Sequence, residues 1–119
     1  MTDQNNLMII KTEDYTVDSS TLNKSIVSGS MRLPSPISYE EPFNSIKIGI
    51  EDSTDTYNID IFELEYLNSS GITSLARLII TARKLNKEIK LTINNNIPWQ
   101  NRSLASLKNL WEKLEFESK

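Results

Sequence analysis

Two hydroxyls stand side by side in Leu67-Asn68-Ser69-Ser70-Gly71-Ile72, and the chemistry open to them is phosphorylation. The stretch joins a strand-like segment, Tyr57 to Phe62, to a helix-like one, so Ser69 and Ser70 fall where the helix begins. The first N–H groups of a helix have no partner within it and carry partial positive charge, a setting that favours an anion such as a phosphate on Ser69. The same spacing fits a plain N-cap, since Asn is among the commonest capping residues, and the local sequence leaves both roles open.

Most other chemistries are excluded. The chain has no His and no Cys, which removes the usual general base near neutral pH, the usual zinc ligands and the thiol nucleophile. Carboxylates pair at Glu40-Glu41, Asp52/Asp55 and Glu63/Glu65, each in a polar or turn-like setting that leaves the charges solvated and offers nothing to raise a carboxyl pKa. Gly29, Gly49 and Gly71 are too far apart to build a phosphate-cradling loop or a dinucleotide fingerprint. The expectation is a chain that is not an enzyme, with no catalytic residue, no metal and no cofactor.

Its 119 residues, 38% of them hydrophobic, suffice for one core and read as a single domain over 1–119, with residues 1–6 a disordered polar tail. The net charge of −3 and pI of about 5.0 come from scattered charges without a Lys/Arg stripe, which argues against a nucleic-acid partner. The polar start is not a signal peptide, and no apolar run approaches the roughly 20 residues that cross a bilayer. With the absence of cysteine, this fits a reducing, cytoplasmic location away from membranes.

The elements that must position Ser69 follow from periodicity. Leu7 to Lys11 and Tyr15-Thr16-Val17, joined by Glu13-Asp14, read as an edge hairpin. Ser25 to Leu33 alternates as a strand and stops at Pro34-Ser35-Pro36, where Ser35 can cap a helix with proline in its first turn. Tyr39, Phe43, Ile46 and Ile50 then mark an amphipathic helix to about Glu51, its last turn weakened by Gly49. After a polar turn, Tyr57, Ile59 and Ile61 share one face of a strand. Ile72, Leu75, Ile79 and Ala82, beside Ala76, Leu78 and Leu85, form the apolar face of the strongest helix, with Thr73, Arg77, Thr81 and Lys84 on the solvated side. Lys87 to Ile93 is a further strand, Leu104, Leu107, Trp111 and Leu114 mark a final helix, and Glu115-Phe116-Glu117 can add a short last strand. Alternating strands and helices favour crossover units and a small α/β or α+β domain.

Val27-Ser28-Gly29-Ser30-Met31-Arg32-Leu33, the strand around Ile59-Asp60-Ile61, and Leu67 to Ile72 opening a helix together resemble the sulfate transporter and anti-sigma factor antagonist (STAS) domain. The likeness spans about Ser25 to Phe116 and looks nearest to a bacterial subfamily of small single-domain partner-switching proteins. Arg32-Leu33-Pro34, Tyr39-Glu40-Glu41-Pro42-Phe43, and Ile97-Pro98-Trp99-Gln100 followed by Ser103-Leu104 belong to the same pattern. The resemblance implies a mixed sheet of four or five strands with helices mainly on one side. It also implies a cycle in which an anti-sigma-type serine kinase phosphorylates Ser69, a metal-dependent serine phosphatase reverses it, and only the unmodified form, a monomer or weak dimer, holds its partner. The surface involved would be Asn68, Ser69, Ser70 and Gly71 with the adjoining helical positions Thr73 and Arg77.

Asn68 departs from the family's common motif, which is acidic there. That favours a second class of function, a STAS-type module that docks on another signalling effector without being phosphorylated. A third, nucleotide binding at the helix start, is opposed by the missing glycine-rich loop. Trp99 has two roles open to it, a lid on the core beside Pro98 or a partner contact next to Arg102, because Trp and Arg are enriched at binding hot spots.

Overall fold

The structure, a computed structural model, describes residues 8–119; the expected tail at 1–6 and Leu7 of the expected hairpin lie outside the described residues. The Thr12 hydroxyl accepts from the Asp14 and Tyr15 N–H groups and closes the turn between β1 (Ile9–Lys11) and β2 (Tyr15–Thr21). β2 runs four residues past Val17, through Asp18-Ser19-Ser20-Thr21, a polar stretch with no apolar alternation. Ser19 is nonetheless buried. Its hydroxyl lies 2.6 Å from that of Ser25 and 2.8 Å from that of Ser45, and Ser25 lies 2.5 Å from the Tyr57 hydroxyl. These hydroxyls satisfy one another, which offsets the cost of taking them out of water and lets polar residues enter the core here.

β3 (Lys24–Met31) alternates as expected, burying Val27 and Met31 and leaving Ile26 on the other face. Ser35 accepts from Ser38 N–H at 3.3 Å and caps a 3-10 turn, Pro36–Tyr39, that leads into α1 (Glu40–Asp52). Tyr39, Phe43, Ile46 and Ile50 are all buried. A Cβ at Gly49 would lie 2.6 Å from Tyr57 Cε1, so the glycine lets α1 press against the next strand.

The segment expected as one strand into the helix is two. β4 (Tyr57–Asp60) breaks at Ile61-Phe62-Glu63, and β5 (Leu64–Leu67) resumes alongside the same neighbour: β3 pairs in parallel with β4 at Lys24 to Ile26 and with β5 at Gly29 to Met31. α2 (Ser69–Lys84) buries Leu75, Leu78, Ile79 and Ala82, leaves Leu85 outside, and is followed by β6 (Ile89–Ile93). The last helix is displaced from its expected position. It begins at α3 (Pro98–Ser103), continues as a 3-10 stretch, Leu104–Leu110, and stops at Trp111, while Leu114 opens β7 (Leu114–Ser118). Leu104, Leu107 and Leu110 recur every three residues, the period at which a 3-10 helix eclipses its side chains.

The sheet has seven strands in the order β1-β2-β3-β4-β6-β7 with β5 also on β3, wider than the four or five expected because the N-terminal hairpin and β7 extend its two ends. β1, β2 and β3 are antiparallel, and β3, β4, β6 and β7 are parallel. α1 packs on α2, and α2 on the 3-10 stretch, forming one helical layer; Lys24, Asn58, Lys90 and Glu115 share a register row on the opposite face. No helix of the described residues is long and apolar enough to cross a membrane.

Candidate functional site at the start of the second helix

Asn68 holds the extended conformation of an N-cap (φ −78°, ψ 176°), and its Oδ1 accepts from Gly71 N–H at 3.0 Å. The same oxygen accepts from the Tyr39 hydroxyl at 2.6 Å, and Nδ2 donates to the Leu33 carbonyl at 2.8 Å. Tyr39 in turn accepts from Leu33 N–H at 3.3 Å. Burial pushes the Tyr39 phenol up, against the opposing pull of the Leu33 N–H, so it stays a donor at neutral pH. Asn68 therefore ties three parts of the chain together: the helix start, the Arg32-Leu33-Pro34 segment and the turn before α1.

This network gives a positive reason for the amide. An Asp can still accept from Gly71 and Tyr39, but its second oxygen would face the Leu33 carbonyl at hydrogen-bonding distance with no proton between them. Asn68→Asp should therefore lower stability at pH 7 by about 1–2 kcal/mol, the loss of a part-buried hydrogen bond and the repulsion from the Leu33 carbonyl partly offset by the helix dipole. Chemical denaturation measures this, and a midpoint equal to or above the wild-type value would contradict the role given to Nδ2.

Gly71 is buried, and a Cβ there would lie 2.3 Å from Leu67 Cδ1 and 2.8 Å from the Tyr39 hydroxyl. The close approach this glycine permits is intramolecular, letting α2 start directly against β5. Ser69 is exposed, while Asn68 and Ser70 are half-buried. Thr73 and Arg77 are exposed and follow Ser69 at spacings of four, so the three form one stripe along α2. Beside the stripe, a groove of about 330 Å³ between α1 and α2 carries Lys47 and Arg77 on its walls. No cluster of three or more His, Cys, Asp or Glu that could hold a metal occurs among the described residues.

The structure does not bring Trp99 to this stripe. It is 6% exposed, and its indole N–H donates to the Leu64 carbonyl at 2.8 Å. Next to it, Gln100 Nε2 donates to the Ile61 carbonyl at 2.7 Å. These two side chains donate to the carbonyls on either side of the β4–β5 break, that of Ile61 also accepting from Leu64 N–H at 3.0 Å, so of the two roles open to Trp99 the core one is realised. Tyr39 was legible in the sequence only as an apolar helix position; its part in the cap was missed, and an Asn where an acidic cap is usual was the one signal that could have pointed to it.

No family model matches the chain, and no curated protein matches it. Among solved structures it is similar to SiaC of Pseudomonas aeruginosa, with TM-score 0.64 and 17% identity over 95% of this chain and 98% of that one. It is also similar to a chain in the crystal structure of the diguanylate cyclase SiaD in complex with its activator SiaC, from the same organism, with TM-score 0.68 and 11% identity over 93% of this chain and 98% of that one. Identities this low speak to the fold alone, and that fold, a mixed sheet with its helices layered mainly on one side and Asn68-Ser69-Ser70-Gly71 opening the central helix, is STAS-like.

Proposed function

We propose that this chain is a non-catalytic regulator that docks on a signalling protein through the Ser69, Thr73 and Arg77 stripe and is released when Ser69 is phosphorylated. The observation that carries the reading is the contrast within one turn of helix. Asn68 and Gly71 are locked into the fold, while the Ser69 hydroxyl beside them is exposed. A phosphate adds about −1.5 to −2 charges at a helix start that favours them, so the fold keeps its shape while the surface changes sign. The kinase of such a cycle would be of the anti-sigma type and the opposing enzyme a metal-dependent serine phosphatase. The similarity in fold to SiaC, which is named as the activator of a diguanylate cyclase, supports a signalling enzyme as the regulated partner.

The constitutive docking module is the second reading, favoured by the absence at Asn68 of the acidic charge usual before Ser69, the amide having a structural role through its bond to the Leu33 carbonyl that needs no phosphorylation. Intact mass after incubation with a candidate serine kinase and ATP separates the two. Wild type should gain one phosphate and Ser69→Ala none, with the variant's stability within about 1 kcal/mol because Asn68 still caps the helix. A phosphate on Ser70 or Thr73 in Ser69→Ala would assign the switch to another hydroxyl, and an unmodified wild type would leave the docking module.

A further inference from the structure

A groove of about 1160 Å³ opens on the other side of α1, between that helix and the antiparallel end of the sheet. Met8 before β1, Leu22 in the β2–β3 turn and Ile48 on α1 all line it, at 38%, 84% and 46% exposure. Three large apolar side chains from three separate segments are thus left in water around one opening, which marks an interaction surface more than scattered exposure does. Glu40, Glu41 and Asp52 stand along the same wall, and among the described residues no Lys or Arg lines the groove. Tyr15, also in the lining, senses that field: burial pushes its phenol up, and the Glu41 and Asp14 carboxylates push it further.

We infer that this groove docks a basic amphipathic helix of a partner protein, its apolar face on Met8, Leu22 and Ile48 and its cationic flank against Glu40, Glu41 and Asp52. An apolar strip edged by one sign of charge is complementary to a helix carrying the opposite sign beside its apolar stripe. Other occupants fit less well. Residues 1–6 carry Asp3 and no Lys or Arg, and the apolar face of α2, the chain's own strongest amphipathic helix, is already buried. The groove and the one beside the Ser69 stripe flank α1 and share only Glu40 and Asn44 on that helix, so Met8, Leu22, Ile48, Glu41 and Asp52 form a surface apart from the stripe, and it does not depend on phosphorylation.

The test uses the full chain, isotope-labelled, titrated with an 18-residue Leu/Lys amphipathic peptide and with a Leu/Glu peptide of the same apolar pattern. The Leu/Lys peptide should bind and shift the amides of Met8, Leu22 and Ile48 while leaving those of Thr73 and Arg77 in place. Glu41→Gln combined with Asp52→Asn should weaken it about fivefold at low salt. Leu22→Lys, at a turn position too exposed to be needed for folding, should weaken it about tenfold. Ser69→Glu should bind it as wild type does, so loss of the switch described above would not disturb this result. No binding, equal binding of the Leu/Glu peptide, or shifts centred on Thr73 and Arg77 would overturn the inference. Concentration-dependent dimerisation through Met8, Leu22 and Ile48 would also overturn it, in favour of a second copy.

Discussion

Leu75→Asp and Ile79→Asp should each unfold the chain or drive it to aggregate. Leu75 is 2% exposed and Ile79 0%, and both face the core from the middle of α2. Removing either side chain costs about 2–5 kcal/mol, and the carboxylate put in its place has no cationic partner, adding several more. The sum is comparable to the whole stability of a domain of this size, about 5–15 kcal/mol. Thermal melts by circular dichroism with size-exclusion chromatography read the outcome. Soluble variants that melt cooperatively near the wild-type temperature would mean that α2 presents its apolar face to a partner, which would dismantle the assignment of Thr73 and Arg77 to the outer side.

That face was legible because its apolar residues recur at 3.6-residue spacing over four turns, as were Tyr39, Phe43, Ile46 and Ile50 on α1. Elements set by other forces were not. Leu64-Glu65-Tyr66-Leu67 buries its two ends and exposes its middle, so it shows no alternation, and it is a strand because β3 offers it a parallel partner. Ser19 and Ser25 look like surface residues in the sequence and are core residues in the fold, since their hydroxyls find Ser45 and Tyr57 from distant segments. Leu114 continues the apolar spacing of the last helix, but Trp111 takes an extended conformation (φ −154°, ψ 127°) and its indole is held by the Lys87 carbonyl at 2.8 Å, which turns the chain into β7. At the candidate site the position of Ser69 and the cap at Asn68 could be read directly. The bond that requires an amide at Asn68 reaches back 35 residues to Leu33, and the room that requires a glycine at Gly71 is set by Leu67 on the preceding strand together with Tyr39, 32 residues back, so no local pattern encodes the whole cap.

The switch itself has two effects of opposite sign, and that separates it from simple damage. A negative charge at Ser69 meets the N-terminal end of the α2 dipole, so it should leave the isolated chain unchanged or more stable by up to about 1 kcal/mol. The same charge trapped unpaired beneath a docked partner should weaken binding by at least about tenfold, since 1.4 kcal/mol is a factor of ten and burying a lone charge exceeds that. Glu brings one charge where phosphate brings nearly two, so Ser69→Glu should show the smaller loss and the phosphorylated chain the larger. The measurement is a calorimetric titration of wild type, phosphorylated chain and Ser69→Glu against the partner that wild type retains in a pull-down, run beside their melting curves. Affinity falling from wild type to Ser69→Glu to the phosphorylated chain, with melting temperatures at or above wild type, is the predicted result; equal affinities in all three, or a loss that tracks a lower melting temperature, would contradict it.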